Sequence, residues 1–198
     1  MFVIQVAKRL KNLLAGSGPV LFLLRLPFRL TKTVADVGTT RLYGMFLGAM
    51  GPDCRIEFGA RIENPRYVFL GRDVKIGKGT LIVSEISNAE LHIGDGVQIN
   101  RSCHIDHTGH LRIGAGTLLS EEAMIYSHSH GIDPRSKPCP IRKEIGADCW
   151  IGARAILLDN AETLADNTLV AAGSVLTKSI DTAGSIYAGV PAKRIADR

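Results

Sequence analysis

A six-residue repeat runs through most of this chain and restricts the folds that it can adopt. Each unit has an aliphatic residue, usually followed by glycine, and then a small residue three positions further on. Neither the 3.6-residue period of a helix nor the two-residue alternation of a strand explains a period of six. A parallel β-helix does, because each unit supplies one short strand and one corner of a stacked prism. We expect the aliphatic residue to point inward and the glycine to permit the corner dihedrals. The clearest units begin at Leu70-Gly71, Ile76-Gly77, Ile93-Gly94, Ile113-Gly114, Ile145-Gly146 and Ile151-Gly152.

Positive charge is concentrated at the N-terminus. Residues 1–41 carry seven Lys or Arg residues against Asp36 alone, whereas the whole chain has a net charge of +5. A basic excess confined to one end argues against a nucleic-acid partner and favours a local contact. Phe2–Leu14 is amphipathic in a helical projection, which leaves two interpretations open. The helix covers one end of the prism, or it lies on an anionic membrane surface.

The repeat divides the chain into three parts. Residues 1–50 form a basic helical segment, residues 51–178 the β-helix, and residues 179–198 a short tail. A first interruption, at Ser84–Asn88, predicts a small bulge with no assignable chemistry. A second, over residues 126–144, is rich in proline and charge and predicts a loop that protrudes from the column. The apolar stretch Pro19–Leu24 is too short to span a bilayer.

The repeat, the histidines at the start of the loop and two later segments together resemble the hexapeptide-repeat acyltransferases. Those segments are Trp150-Ile151-Gly152 and the run from Ala171 through Thr177-Lys178 to Gly189-Val190-Pro191-Ala192-Lys193. The resemblance covers about residues 53–195 and is greatest to maltose and galactoside acetyltransferases and to O-acetyltransferases of bacterial surface polysaccharide synthesis. It implies an all-β solenoid, specifically a left-handed parallel β-helix, assembled as a homotrimer. It also implies that acetyl-CoA binds as cosubstrate in clefts between neighbouring columns.

The resemblance also assigns catalytic residues. In the family, a histidine at the start of the protruding loop is the general base, a role that suits the pKa of imidazole. Ungapped alignment from Ile125 places this base at His130, with His128 as the alternative. Asn100 matches an asparagine that the sugar acetyltransferases hold against acceptor and base, although its tolerance of left-handed dihedrals offers a purely conformational explanation. Asp106 and His107 are further candidates for orienting the acceptor or the base.

The expected coenzyme contacts lie in the second half of the chain. By the resemblance, Trp150 lies near the reactive end of pantetheine, and a backbone amide near Gly152-Ala153 stabilises the oxyanion. Several relatives have serine at the position of Ala153. The remaining expected contacts are close backbone approach at Ala172 and Gly173, and phosphate recognition by Thr177, Lys178, Lys193 and Arg194.

No metal is expected. The γ-class carbonic anhydrases share the fold and bind zinc through three histidines, but their signature is absent. The four remaining histidines are therefore interpreted as surface residues: His92, His104, His107 and His110.

The chain also departs from the usual repeat of the family in the unit between Leu157 and Leu164. This unit is one residue longer, which predicts a bulged corner.

These observations predict a cytoplasmic O-acetyltransferase, at the inner face of the membrane if the basic N-terminus binds there. The acceptor is a sugar hydroxyl on a saccharide or lipid-linked precursor of capsule, exopolysaccharide or O-antigen. Transfer is direct, because no cysteine or serine stands where the base would activate it. The alternatives are an N-acetyltransferase of an amino sugar, a γ-carbonic-anhydrase-like enzyme and a non-catalytic β-helix protein.

Overall fold

A computed structural model describes residues 19–198, with side chains from residue 29 onward and at position 27. The amphipathic helix predicted over Phe2–Leu14 lies outside the described residues. Helix α1 spans Pro19–Gly44 and includes Pro27. Within residues 19–198, no helix combines the length and apolar character that crossing a bilayer requires.

Twenty-two short strands follow α1, with a 3₁₀ turn at Pro65–Tyr67. They are β1 (Ala49–Met50), β2 (Arg55–Ile56), β3 (Arg61–Ile62), β4 (Val68–Leu70), β5 (Lys75–Ile76), β6 (Leu81–Val83), β7 (Leu91–Ile93), β8 (Gln98–Ile99), β9 (His104–Asp106), β10 (Leu111–Ile113), β11 (Leu118–Leu119), β12 (Met124–Ile125), β13 (His128–Ser129), β14 (Cys139–Pro140), β15 (Lys143–Ile145), β16 (Trp150–Ile151), β17 (Ile156–Leu157), β18 (Thr163–Leu164), β19 (Leu169–Val170), β20 (Val175–Leu176), β21 (Ser185–Gly189) and β22 (Ala192–Asp197).

The strands form three parallel sheets that are the faces of a triangular prism. Face 1 contains β1, β4, β7, β10, β15 and β18; face 2 contains β2, β5, β8, β11, β16, β19 and β21; and face 3 contains β3, β6, β9, β12, β17 and β20. Consecutive strands therefore lie on consecutive faces, so each coil visits all three. This arrangement is the parallel β-helix that the six-residue repeat predicted.

The glycines of the repeat have a different role from the one expected. None of the six glycines that follow the aliphatic residue has a positive φ, so the expectation that they permit corner dihedrals is wrong. A Cβ at Gly114 would lie 2.4 Å from the backbone nitrogen of Ala147, and one at Gly152 would lie 2.5 Å from that of Ala172. These glycines are required because the backbones of successive coils approach too closely for any side chain.

The C-terminal half of α1 covers the first coil. Asp36 is buried and accepts hydrogen bonds from the backbone nitrogen of Phe58, at 3.0 Å, and from the guanidinium of Arg55, at 2.6 Å. The Thr40 hydroxyl accepts the Ile56 amide at 2.9 Å, and the Tyr43 hydroxyl accepts the Ile62 amide at 3.1 Å. Side chains of α1 thus accept hydrogen bonds from amides at the first edge of the prism, where the described residues form no earlier coil that could accept them.

Two hairpins depart from the coil. Strands β13 and β14 pair antiparallel inside the excursion between β12 and β15, and Ile132 near its tip is fully exposed. The C-terminal tail is also ordered as a hairpin, because β21 joins face 2 beside β19 and pairs antiparallel with β22. The predicted protruding loop is therefore a two-stranded arm that begins with His128.

A buried lysine stands at one of the inward positions of the core. Lys143 is aligned with Leu111 on face 1 and is 1% exposed. Its ammonium group donates to the carbonyl of Leu158 at 2.8 Å, to that of Asp159 at 3.4 Å and to that of Ala161. Burial lowers the pKa of Lys143 from 10.5 to about 8. The bulged corner predicted after Leu157 is the segment whose carbonyls this lysine binds.

Replacing Lys143 by methionine is expected to lower the free energy of unfolding by about 2 kcal/mol at pH 7, because inward carbonyls lose their donor. The native pKa lies below the unfolded value of 10.5, so the unfolded chain binds more protons between pH 8 and 10.5. As the pH increases across that window, the free energy of unfolding of the native protein should therefore rise relative to that of Lys143→Met, by about 3 kcal/mol in total. Urea unfolding between pH 7 and 10 measures both effects. Lys137→Met, at an exposed position, is the control. A difference in unfolding free energy between the native protein and Lys143→Met that does not change with pH would contradict the lowered pKa of Lys143.

Candidate functional site

All the long units of the repeat lie at one corner of the prism. From β1 to β20, passages from face 1 to face 2 and from face 2 to face 3 keep the six-residue spacing, whereas passages from face 3 to face 1 are longer. We call the latter the 3–1 corner. Its longer passages run from Ile62 to Leu70, Ile82 to Ile93, Ile105 to Ile113, Ile125 to Ile145 and Leu157 to Leu164.

A buried carboxylate organises the 3–1 corner. Asp106 ends β9 and is 1% exposed. Its carboxylate accepts hydrogen bonds from the backbone nitrogen and hydroxyl of Thr108, from the backbone nitrogen of Ser127 at 2.7 Å, and from Nδ1 of His128 at 2.8 Å. Burial alone would raise the pKa of Asp106, but these hydrogen bonds outweigh it and lower the pKa. The group is therefore an ionised carboxylate near neutral pH.

The contact with Asp106 determines where His128 carries its proton. An ionised carboxylate can only accept a hydrogen bond, so the proton of neutral His128 lies on Nδ1. The lone pair is then on Nε2, which lies 3.3 Å from the Glu85 Oε1 atom. The His128 side chain is 13% exposed, so the ring is partly open to solvent at the base of the arm. A buried carboxylate behind an imidazole with a free Nε2 is an arrangement suited to general-base chemistry.

His130 lies beside His128 at the base of the arm. The two rings meet edge to face, with centroids 5.0 Å apart. Nδ1 of His130 donates to the carbonyl oxygen of Ser136 at 2.8 Å, which leaves Nε2 as the bare nitrogen, 3.5 Å from Glu85 Oε1. The hydrogen bond to Ser136 and the nearby Glu85 raise the pKa of His130.

Glu85 was not identified by the sequence as a site residue. It belongs to the interruption at Ser84–Asn88, to which no chemistry was assigned. Its backbone nitrogen donates to the Thr108 hydroxyl at 3.0 Å, which ties the passage that contains Glu85 to the next passage of the 3–1 corner, which begins with Asp106. Glu85 is brought beside the histidines by the stacking of successive long passages at one corner, a relation that its place in the sequence does not show.

The other expected site residues lie away from the histidines within one chain. Asn100 and the Gly152-Ala153 pair lie at the corner between faces 2 and 3, called here the 2–3 corner. Ala172 and Gly173 lie at the same corner one coil further on. Trp150 is on face 2, 43% exposed, and its indole nitrogen donates to the Ser120 hydroxyl at 2.9 Å.

The structure changes the oxyanion expectation. The Gly152 amide donates to the Val170 carbonyl at 2.8 Å within the coil ladder, so it is not free to bind another oxygen. The adjacent Ala153 amide has no such partner among the described residues. Of the two amides considered, only that of Ala153 can serve as an oxyanion donor.

The phosphate candidates form two separate groups. Thr177 and Lys178 follow β20 at the 3–1 corner, two coils beyond His128. Lys193 and Arg194 are exposed on β22, where Arg194 pairs with Asp197. The positions are accessible to an anion, but no contact in the structure brings the two groups together.

The four histidines interpreted as surface residues do not all lie at the surface. His107 is fully buried, so this expectation is wrong for it; burial lowers its pKa. His92 pairs with Glu90 at 2.9 Å and stacks on Phe69, and His104 lies beside Tyr126. Among residues 19–198, the potential metal-ligating atoms that converge come from Glu85, His128 and His130, not from these four.

Comparison with known proteins supports this interpretation of the fold. No protein-family model matches the chain. The chain is 28% identical to the galactoside O-acetyltransferase of Escherichia coli K12 over 141 residues, which are 70% of this chain and 61% of that enzyme. The chain therefore matches about three-fifths of the length of this relative.

Solved structures extend the comparison. The N-acyltransferase AntD from Bacillus cereus, in complex with dTDP and 3-hydroxybutyryl-CoA, superposes with a TM-score of 0.71 at 19% identity. The alignment covers 83% of this chain and 90% of AntD. A hexapeptide-repeat acetyltransferase from Vibrio cholerae, VCA0836, gives 0.56 at 18% identity, over 96% of this chain and 92% of that protein. The fold is that of the hexapeptide-repeat acyltransferases. The resemblance drawn from the repeat is confirmed, as is the left-handed parallel β-helix.

The role of Asp106 can be tested by replacing it with asparagine. An amide in this position would place an NH₂ group against buried donors, so we expect a loss of about 2–4 kcal/mol in the free energy of unfolding. We also expect ¹⁵N NMR to show His128 protonated on Nδ1 in the native protein and a mixture of tautomers in the variant. Asp133→Asn, in the exposed part of the arm, is the control. A native His128 that carries its proton on Nε2 would overturn the geometry described.

Proposed function

We propose that the protein is an acyltransferase that moves an acetyl group from acetyl-CoA to a sugar hydroxyl. The observation that carries this proposal is the pair formed by buried, ionised Asp106 and His128, whose Nε2 is bare. The sequence similarity to a galactoside O-acetyltransferase supports the same chemistry. Acyl transfer to a hydroxyl needs a base, and the bare Nε2 of His128 lies at the base of the arm where it can act as one.

In the proposed reaction, Nε2 of His128 removes the proton from the acceptor hydroxyl while its oxygen attacks the thioester carbonyl. The tetrahedral intermediate places negative charge on the carbonyl oxygen, where the Ala153 amide would donate. Collapse breaks the carbon–sulfur bond, and the departing thiolate takes the proton from His128. Asp106 stabilises the imidazolium that exists between these two proton transfers.

We assign the base to His128 rather than to His130, the residue favoured by ungapped alignment. Both rings have a bare Nε2, but only His128 is backed by an ionised carboxylate. The Nδ1 partner of His130 is a neutral backbone carbonyl, which stabilises a developing positive charge less effectively. His130 instead packs edge to face against His128 and helps to hold its orientation.

The placement of the two groups of residues favours a homotrimer. The histidines lie at the 3–1 corner, whereas Trp150, Ala153, Ala172 and Asn100 lie on face 2 or at the 2–3 corner. Columns packed side by side would bring the 3–1 corner of one copy towards the 2–3 corner of the next. We propose that acetyl-CoA binds in that cleft, with Lys178, Lys193 and Arg194 directed towards its phosphates.

The acceptor is proposed to be a saccharide or lipid-linked sugar of surface polysaccharide synthesis, acetylated in the cytoplasm, where acetyl-CoA is made. Exposed apolar side chains on α1, Leu30, Val34 and Leu42, stand near Arg29 and Arg41. This combination would suit contact with an anionic membrane that carries a lipid-linked acceptor. Capping of the prism by the buried side of α1 is compatible with such a contact.

A second candidate acceptor is an amino sugar. The similar fold of AntD is that of an N-acyltransferase, and AntD has been crystallised with dTDP-4-amino-4,6-dideoxyglucose and coenzyme A. Acetyl-CoA consumption should therefore be compared with acceptors that differ only in a hydroxyl or amino group at one position. Faster turnover of the amine would assign N-acyl transfer, and no turnover of either class would contradict the proposed chemistry.

The base assignment predicts unequal effects of the two histidines. His128→Ala should reduce kcat by roughly 10³-fold, because general-base catalysis is lost. His130→Ala should have a smaller effect, and His92→Ala, which removes a partly buried histidine away from the arm, should have none. Coenzyme binding should survive in all three, as measured by the fluorescence of Trp150, the single tryptophan of the chain. A larger loss in His130→Ala than in His128→Ala would transfer the role to His130.

A further inference from the structure

We propose that Glu85, His128 and His130 form a binding site for a divalent transition metal of the zinc class. The ligand atoms are Oε1 of Glu85 and the Nε2 atoms of the two histidines. Binding of the metal stands independently of the proposed function. Its consequence, inhibition of transfer, rests on that function, because the metal would occupy the nitrogen of the proposed base.

The distances suit a tetrahedral ion. Oε1 of Glu85 lies 3.3 Å from Nε2 of His128 and 3.5 Å from Nε2 of His130, and all three atoms lie within 4.8 Å of one another. A tetrahedral zinc ion with bonds of about 2.0–2.1 Å holds neighbouring ligand atoms about 3.3–3.4 Å apart. The two edges from Glu85 match this value, and the edge between the two Nε2 atoms is at most 4.8 Å.

The hydrogen positions also favour a cation. Nδ1 of His128 donates to the Asp106 carboxylate at 2.8 Å, and Nδ1 of His130 donates to the Ser136 carbonyl at 2.8 Å. Both acceptors lack hydrogens, so in the neutral rings both Nε2 atoms carry lone pairs. When both rings are neutral, three acceptor atoms therefore face one another. A cation placed among them converts this repulsion into three favourable bonds.

The atoms behind the site would hold the ligands in place. Histidines that bind metals usually donate their second nitrogen to a carboxylate or a backbone carbonyl, which fixes the ring and its tautomer. Both kinds of partner are present here before any metal binds. Asp106 is itself held by Thr108 and Ser127, so His128 cannot rotate freely away from the site.

The ligand set selects among metals. Two imidazoles and one carboxylate suit Zn²⁺, Co²⁺, Ni²⁺ and Cu²⁺, whereas Mg²⁺ and Ca²⁺ prefer oxygen ligands. Three ligands from the chain leave a fourth position for water. This site differs from the metal centre weighed in the sequence analysis, because Glu85 and the histidines at the base of the arm were not part of that set.

Isothermal titration of the metal-free, full-length protein with Zn²⁺ tests binding. We expect one ion per chain, at least tenfold weaker binding in Glu85→Gln, and a larger loss in His130→Ala. The matched controls are His92→Ala and Glu90→Gln, which break another His–Glu pair with a 2.9 Å contact. Cys139→Ser, which alters the exposed thiol of β14, should bind zinc normally. Co²⁺ should give the visible absorption of a tetrahedral site in the native protein but not in His130→Ala.

Unfolding curves establish that each variant is folded. Unchanged zinc affinity in both Glu85→Gln and His130→Ala, or an equal loss in the His92 and Glu90 controls, would overturn the site. So would Mg²⁺ binding as tight as Zn²⁺ binding.

Inhibition is tested separately. For each variant, the rate of acetyl transfer with zinc is divided by the rate of the same variant without metal. Zinc should inhibit the native protein reversibly, with recovery on chelation, and should inhibit Glu85→Gln only at tenfold or higher concentration. Zinc bound at the site without inhibition would overturn this consequence while leaving the site intact. If metal-free protein transfers no acetyl group to any acceptor, the proposed function fails and the titration still decides the site.

Discussion

The structure depends on the close stacking of its coils. Strands of two or three residues cannot hold a fold by themselves, so each coil relies on backbone hydrogen bonds to the coils on either side. At the Gly114 and Gly152 positions this stacking leaves no space for a Cβ atom. The same requirement leaves the first coil with unpaired amides, which Asp36, Thr40 and Tyr43 of α1 satisfy. Because two corners of each coil obey this geometry strictly, inserted residues collect at the third.

That third corner explains why the candidate site lies where it does. The 3–1 corner accepts extra residues without disturbing the sheets, since each insertion leaves and re-enters the column between two faces. Glu85, Asp106 and His128 come from three successive insertions at this corner, so residues distant in sequence become neighbours. The backbone polar groups exposed by the insertions need partners, and the buried Asp106 carboxylate supplies one for Thr108 and Ser127. The group that stabilises the insertion is thus also the group that orients the histidine.

The sequence predicted the architecture because the inward-facing residues alone repeat every six positions. That period is visible in the sequence whatever the other side chains contact. It also predicted the arm, from prolines and lost phase, and the histidines at its base. It did not predict the choice between His128 and His130, because that choice depends on which Nδ1 faces a carboxylate and which a carbonyl. Glu85 escaped attention because a single glutamate in a polar turn carries no pattern until the coils are stacked. The buried state of His107 was missed for the same reason, since the repeat does not specify which side chains of an insertion turn inward.

Lys143 shows how two irregularities of the sequence compensate each other. The passage from Leu157 to Leu164 has one residue more than the repeat allows, and three carbonyls of that corner, those of residues 158, 159 and 161, face the prism interior. An aliphatic residue at position 143, like Leu111 one coil earlier, would fill the space but leave the carbonyls of Asp159 and Ala161 without donors, since only that of Leu158 also accepts a backbone amide. A lysine fills the same space with its methylene chain and reaches the carbonyls with its ammonium group. The cost of burying that charge appears as the lowered pKa of Lys143, and the bulged corner is tolerated because the ammonium group supplies donors to carbonyls that would otherwise be unpaired. The lysine also begins β15, the strand with which the chain re-enters the column after the arm, so the same contact fixes the register in which the arm closes.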